Sequence, residues 1–95
     1  MPYIKVRGFG PIRDLFGSNI ITIETIKNMT IKNVIDILLE NYPGLSDVIL
    51  DQKTRKPRRG IKFLLNEETI ELTRDGNEIV KDGDVFAILP PVAGG

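Results

Sequence analysis

The sequence contains neither cysteine nor histidine among its 95 residues. Without cysteine, disulfide bonds, thiolate nucleophiles and sulfur ligands for a metal are all excluded. Without histidine, the side chain that most often serves as a general base and as a zinc ligand is missing as well. The side chains therefore offer few groups for catalysis, and we predict neither a bound cofactor nor a metal site.

The chain also lacks an excess of charge and a long apolar run. Its 13 basic and 13 acidic residues give a formal net charge of zero, which removes the whole-domain electrostatic case for nucleic-acid or anionic-membrane binding. No apolar stretch is long enough to span a bilayer. The first residues, MPYIKVRG, interleave charges with apolar side chains, unlike a secretory signal. We expect a cytoplasmic protein, with neither a membrane nor nucleic acid as its partner.

Hydrophobic periodicity predicts a small α+β domain. Period-two alternation predicts strands over residues 3–9 and 20–26, which would form an antiparallel hairpin. Apolar residues at three-four spacing predict an amphipathic helix that begins at the N-cap Thr30 and ends at Tyr42. A helical turn at 45–50 and a mobile polar loop at 51–60 follow, and then strands at 61–66, 68–72 and 85–89.

This element order predicts a two-layer domain over residues 1–89, followed by an extended tail over residues 90–95. If the last strand pairs parallel with the first, the fold is a ubiquitin-like β-grasp, in which one main helix packs on one face of a mixed sheet of four to five strands. A ferredoxin-like fold would need a second helix of comparable length.

The last strand, VFAIL, is apolar on both faces, although a sheet covered by one helix needs only one apolar face. We predict that Phe86 and Ile88 point inward and that Ala87 and Leu89 point outward. The outward side chains indicate either a surface covered by the loop at 45–60 or a partner-binding patch. We assign Ala87, Leu89 and Phe63 to a partner interface.

The last six residues of the sequence are Pro-Pro-Val-Ala-Gly-Gly. Pro90 and Pro91 cannot donate to a sheet ladder, so we expect them to end the strand and project the tail away from the domain. Gly94 and Gly95 carry no side chains and therefore fit a narrow channel. A diglycine end by itself is typical of a frayed terminus. The combination of the diglycine with a stiff proline spacer and an extra apolar strand face favours a functional role for the tail.

The segment KDGDVFAILPPVAGG resembles the C-terminal signature of the sulfur-carrying small subunit of molybdopterin synthase, a ubiquitin-like family. The opening YIKVRGFGPIRDLFG is similar to the opening of the same family. The resemblance implies that the reactive group is the Gly95 carboxylate, which an E1-like enzyme adenylates with ATP and a sulfur donor then converts to a thiocarboxylate.

The resemblance also implies how the sulfur is used. The large subunit of the synthase would carry the catalytic residues, so this chain is not an enzyme on its own. It would donate its sulfur to a pterin precursor during molybdenum cofactor biosynthesis. The residues implied to lie in the channel of the partner are Pro90, Pro91, Val92, Ala93 and Gly94.

Three alternatives remain open from the sequence. A ubiquitin-like modifier would use the same activation but join Gly95 to lysine amines of target proteins. A sulfur carrier for thiamine synthesis is less favoured, because that family is typically shorter and lacks the Pro-Pro-Val lead-in. A non-catalytic binding module would use the basic loop at 53–59, which is longer and more basic than the family pattern. For that loop we prefer a solvated surface over docking of an acidic partner, and we place nucleic-acid contact third because no aromatic residue is interleaved.

Overall fold

The computed structural model describes residues 2–91. The strands are β1 (Tyr3–Gly8), β2 (Ile20–Glu24), β3 (Lys62–Leu65), β4 (Glu68–Ile70) and β5 (Val85–Leu89). The helices are α1 (Pro11–Phe16), α2 (Ile31–Asn41), α3 (Leu45–Ile49) and α4 (Leu72–Asp75). Within the described residues, no helix is both long and apolar enough to cross a membrane.

The five strands form one mixed sheet in the order β2-β1-β5-β3-β4. β5 lies at its centre and pairs parallel with β1 and antiparallel with β3, while β1–β2 and β3–β4 are antiparallel pairs. The predicted hairpin and the parallel pairing of the first and last strands are both confirmed. The fold is therefore the predicted ubiquitin-like β-grasp: the connection from β2 to β3 carries the main helix α2, and β5 lies between β1 and β3 at the centre of the sheet.

α2 begins with a reciprocal capping arrangement. The Thr30 hydroxyl accepts a hydrogen bond from the Asn33 backbone N–H at 3.1 Å, and the Asn33 side-chain oxygen accepts one from the Thr30 N–H at 2.9 Å. These two bonds satisfy N–H groups that have no partner within the helix. The predicted N-cap at Thr30 is confirmed. The buried residues of α2, which join the core beneath the sheet, are Ile31, Val34, Ile35 and Leu38.

The core lies on the inner face of the sheet, and β5 supplies its centre. Phe86 and Ile88 are fully buried, and the Phe86 ring stacks on Phe63 with centroids 5.8 Å apart. Full burial of a large apolar side chain stabilises the fold by about 1.5–3 kcal/mol. The inward direction predicted for Phe86 and Ile88 is confirmed.

Two short helices were not predicted from the sequence. α1 buries Ile12 and Phe16, and it packs so closely on the end of β1 that a Cβ atom at Gly8 would lie 2.9 Å from both side chains. α4 begins at Leu72, the last residue of the predicted strand at 68–72, and continues into a segment for which no element was predicted. The other differences from the predicted elements are shifts of one or two residues at the ends of strands and helices, which are the least well-defined positions of any element.

Candidate functional site: the outer face of β5 and the start of the tail

The tail starts from the middle of the sheet. Leu89, the last residue of β5, pairs with Lys62 on β3, and Pro90 follows without continuing the strand. Proline has no backbone N–H to donate to a ladder, which is the physical reason that β5 ends here. The chain therefore leaves the domain from its central strand, flanked by β1 on one side and β3 on the other.

Ala87 and Leu89 point to the outer face of the sheet, as predicted, and both are half-buried. The assignment of Phe63 to the partner interface is wrong, because Phe63 is 4% exposed and belongs to the core. Its register explains the error: Phe63 lies opposite Ile88, an inward residue, whereas Leu64 lies opposite Ala87. The outer face at β3 is thus contributed by Leu64, which sequence reasoning missed.

These outward residues line a groove of about 160 Å³ on the outer face. The Arg7 guanidinium lies over the Phe9 ring at 5.2 Å from its centroid and supplies a positive rim. An apolar centre with a charged rim is the usual anatomy of a protein-binding surface. We call this surface the outer docking face; its lining residues are Arg7, Phe9, Leu64, Glu67, Val85, Ala87 and Leu89.

The outer docking face is not covered by the loop at 45–60. The first part of that segment is α3, whose Leu45 and Ile49 are fully buried in the core and which packs against α1 and α2. The remainder, residues 51–60, is exposed throughout. The outward side chains of β5 therefore remain partly accessible, which favours the partner-patch interpretation over the covered-surface interpretation.

Two glycines lie in close contact with the first two residues of the tail. A Cβ atom at Gly10 would lie 3.4 Å from Pro90 Cγ, and a Cβ atom at Gly60 would lie 3.0 Å from Pro91 Cβ. Both glycines adopt positive φ, 57° and 92° respectively, a region that side-chain-bearing residues enter at a cost. We call this arrangement the proline cradle.

The proline cradle changes the expected path of the tail. We expected the prolines to project away from the domain, but Pro90 is half-buried against it and Pro91 lies beside Gly60. The predicted channel residues Val92, Ala93 and Gly94 and the predicted reactive Gly95 lie outside the described residues. Sequence reasoning missed Gly10 and Gly60, and the available signal was their position in turns that flank paired strands.

The two carboxylates of the turn that precedes β5 accept hydrogen bonds that stabilise the turn. Asp84 accepts hydrogen bonds from the Lys81 backbone N–H at 2.7 Å and from the Asn66 amide at 3.0 Å. Asp82 accepts one from the Tyr3 N–H at 2.9 Å. These bonds fix the start of β5 against β1 and the β3–β4 turn, so they hold the strand that carries the tail.

The ionisable groups with shifted pKa values lie outside the docking face. Backbone N–H groups of Thr54 and Lys53 lower the pKa of Asp51. The Arg74 guanidinium, which contacts Asp75 at 2.8 Å, lowers the pKa of that carboxyl through a hydrogen bond. Both shifts come from local turn and ion-pair contacts, and neither indicates an acid–base pair beside the tail.

Comparison with known proteins agrees with this geometry. The sequence matches the ThiS family over residues 6–95. It is 34% identical over 67 residues to the sulfur carrier protein CysO of Mycobacterium tuberculosis, a match that covers 70% of this chain and 72% of that protein.

Two solved structures share the fold over nearly their whole length. The solution structure of small archaeal modifier protein 1 from Methanosarcina acetivorans is 27% identical with a TM-score of 0.80, covering 100% of this chain and 98% of that one. A chain in the complex of subunits 1 and 2 of the molybdopterin-converting factor from Helicobacter pylori is 29% identical with a TM-score of 0.64, covering 98% and 99%. With its β-grasp sheet, its central last strand and a family match that runs to residue 95, this chain belongs to the ThiS family.

Proposed function

We propose that this protein is a sulfur carrier whose Gly95 carboxylate is the reactive group. A carboxylate oxygen of Gly95 would attack the α-phosphorus of ATP on a separate activating enzyme, and pyrophosphate would leave. Sulfide (HS⁻) supplied by a sulfur donor would then attack the carbonyl carbon of this mixed anhydride, and AMP would leave to give the thiocarboxylate. The chain itself binds no cofactor in this scheme, since ATP is bound and consumed by the activating enzyme.

The observation that carries the proposal is the path of the chain at the end of β5. The same strand presents Ala87 and Leu89 on the outer docking face and then leads through the proline cradle into the Gly-Gly end. A partner that binds the outer docking face would therefore meet the start of the tail directly after Leu89. Positioning of this kind is what a carrier without catalytic side chains has to supply.

The more specific role that we propose is that of the small subunit of molybdopterin synthase. The thiocarboxylate would enter the large subunit, which holds the catalytic groups, and its sulfur would pass to a pterin precursor in the cytoplasm. Water would then restore the Gly95 carboxylate. The likeness to a chain of the two-subunit molybdopterin-converting factor supports this role, as does the Pro-Pro-Val-Ala-Gly-Gly ending.

A second candidate function is protein modification. The likeness to an archaeal modifier protein favours it. A lysine amine of a target would attack the activated Gly95 carbonyl, AMP or a carrier thiol would leave, and an amide bond would form. The two functions share the activation step and differ only in the acceptor, so one experiment can separate them.

The test is intact mass spectrometry of the full chain after incubation with host cell extract, ATP and sulfide. We expect the mass gain that corresponds to replacement of one oxygen by sulfur, and its loss when Gly95 is deleted or when one residue is added after it. Amide-linked adducts on other proteins, without the thiocarboxylate, would instead establish the modifier. An unchanged mass beside an active control carrier would refute both functions.

A separate pair of variants tests whether the outer docking face binds the activating enzyme. Leu89→Asp places a charge in the apolar groove, whereas Thr22→Asp places the same charge on the exposed edge strand β2. Both side chains lie outside the core, so both variants should fold. We expect Leu89→Asp to lose thiocarboxylate formation and Thr22→Asp to retain it. Equal loading of the two variants would show that this face does not dock the activating enzyme.

A further inference from the structure

The loop after α3 concentrates positive charge that the rest of the chain balances. Residues 53–59, the basic loop, contain five of the 13 basic residues of the chain. All five are exposed; they are Lys53, Arg55, Lys56, Arg58 and Arg59. A chain with no net charge therefore carries one strongly cationic segment.

The basic loop is a closed, hydrogen-bonded structure. The Asp51 carboxylate accepts hydrogen bonds from the backbone N–H groups of Lys53 at 2.8 Å and Thr54 at 3.1 Å. The Arg58 N–H donates to the Ile49 carbonyl at 2.7 Å, and Arg58 Nε donates to the Leu50 carbonyl at 3.1 Å. These bonds tie both ends of the loop to the end of α3, so its cations are presented from a defined backbone.

The charge of the basic loop is not neutralised by carboxylates of the described chain. Across residues 2–91, the ion pairs are Arg13–Asp14 and Arg74–Asp75, and neither involves the loop. The one acidic residue between positions 51 and 60 is Asp51; its charge acts on Arg58 and offsets one of the five positive charges, and its carboxylate accepts hydrogen bonds from backbone N–H groups. The loop therefore offers guanidinium and ammonium groups to an outside partner.

The basic loop stands beside the start of the tail. Gly60, the residue directly after it, is in the proline cradle with Pro91. A groove of about 570 Å³ joins the two features and is lined by Asp51, Gln52, Lys53, Arg58, Arg59 and Pro91. A protein that takes up the tail must therefore approach the cations of the basic loop.

We propose that the basic loop docks an acidic surface of the protein that takes up the tail, at the border of the cleft that receives it. Arginine and carboxylate groups form paired, charge-assisted hydrogen bonds, which would orient the approaching tail as well as attract the partner. A single-stranded nucleic acid is the weaker fit, because the groove residues include no aromatic ring for stacking on bases. This inference rests on the proposed function and adds the chemistry of the partner.

The chain offers a matched pair of variants for the test. Lys53→Glu with Lys56→Glu reverses two charges in the basic loop and leaves the Arg58 anchor in place. Lys27→Glu with Lys81→Glu makes the same change in net charge at the other end of the sheet. Lys81 lies just before the start of β5, whereas the tail follows its end. Lys27 follows β2, whose last residue Glu24 pairs with Tyr3 at the start of β1, so it lies at the same end of the sheet as Lys81. Both control lysines are exposed.

The first measurement is the initial rate of thiocarboxylate formation in host cell extract with ATP and sulfide, at low and high salt. We expect the basic-loop variant to lose on the order of tenfold at low salt, because steering by opposite charges accelerates association. The loss should shrink at high salt, and the control variant should load at the rate of the unaltered chain. Equal rates for the two variants at low salt would overturn the proposal.

The second measurement uses defined probes on the full chain. A decaglutamate peptide and a single-stranded decathymidylate are titrated separately, and backbone amide shifts are followed by NMR. We expect the peptide to shift the amides of residues 51–60 in the unaltered chain and not in the basic-loop variant. Binding of the oligonucleotide alone would overturn the acidic-protein assignment. If the unaltered chain is never loaded with sulfur, the proposed function fails, and the peptide titration still decides whether the basic loop binds carboxylates.

Discussion

Substitution of Gly60 by alanine should separate the orientation of the tail from the stability of the domain. Gly60 has φ of 92°, and a Cβ atom there would lie 3.0 Å from Pro91 Cβ. Ordinary contacts of a Cβ atom are 3.4–4 Å, so the neighbour must move by a few tenths of an ångström. Since Pro91 belongs to the tail and is exposed, it can move without disturbing the core. The substitution should therefore redirect the tail.

A second glycine supplies the control. Gly83 has φ of 87°, and a Cβ atom there would meet nothing within 4 Å. Alanine at either position takes on the strain of a left-handed backbone, about 1–2 kcal/mol. In a domain of this size that strain corresponds to a decrease in Tm of roughly 4–16 °C. The two variants should lose similar stability, and only Gly60→Ala should also shift the tail.

The assay combines urea unfolding with the rate of thiocarboxylate formation. We expect both variants to unfold at lower urea than the unaltered chain. Only Gly60→Ala should load more slowly, on the order of three- to tenfold, because small errors in the position of a reacting group reduce rates steeply. If Gly60→Ala loses stability as Gly83→Ala does but loads at the unaltered rate, the proline cradle does not orient the tail.

Three further predictions concern the domain itself. Phe86→Ala removes a fully buried ring that stacks on Phe63 and should lower the free energy of unfolding by about 3–5 kcal/mol in urea titrations; a loss below about 1 kcal/mol would contradict the assigned core. Thr30→Ala removes the hydroxyl that caps α2 and should cost about 1 kcal/mol in the same assay. The pKa of Asp51 is lowered by hydrogen bonds from the N–H groups of Thr54 and Lys53. The ionised carboxylate therefore stabilises the loop above the unfolded pKa of about 3.9, and this stabilisation is lost as the pH falls through the lower folded pKa. The Thr54 and Lys53 amide shifts should therefore titrate below that value by NMR, and a midpoint at or above it would refute the hydrogen bonds.

The parts of the fold that the sequence predicted are those with a local signal. The helix beginning after Thr30 has a three-four apolar repeat and a capping residue, and β5 is bounded by a turn and two prolines. The inward directions of Phe86 and Ile88 were predicted correctly, although VFAIL is apolar on both faces and has no alternation that fixes them. Phe63 was assigned wrongly because KFLL contains three consecutive apolar residues. Its alternation is ambiguous until the register with β5 is known.

The β3–β4 turn was missed for a related reason. Asn66 and Glu67 both adopt positive φ, 52° and 73°, as a two-residue hairpin turn requires, but Glu67 stands where such turns usually have glycine. The Asn66 side chain supplies the compensation, since its oxygen accepts from the Val85 N–H at 2.9 Å and its amide donates to Asp84 at 3.0 Å. These contacts join residues 18 and 19 positions apart, which no local pattern reveals.

The proline cradle was out of reach of sequence reasoning for the same physical reason. Gly10 and Gly60 meet Pro90 and Pro91 only because β5 is inserted between β1 and β3. The residues of the tail themselves led to the prediction that it is the functional element, and this stays a prediction. The sequence places Gly10 and Gly60 in turns, but it carries no signal that these glycines contact Pro90 and Pro91.

The central strand explains how a chain with few reactive side chains can be specific. Inward residues of β5 pack in the core, and its outward residues line the groove of the outer docking face. Because neighbouring strands fix β5 on both sides, the backbone that enters the proline cradle cannot shift without breaking the sheet. The start of the tail, at Pro90 and Pro91, is therefore positioned by the central strand of the sheet. It follows that Leu89→Asp should reduce loading at nearly unchanged stability, whereas substitutions one residue away at Ile88 should reduce loading only through unfolding.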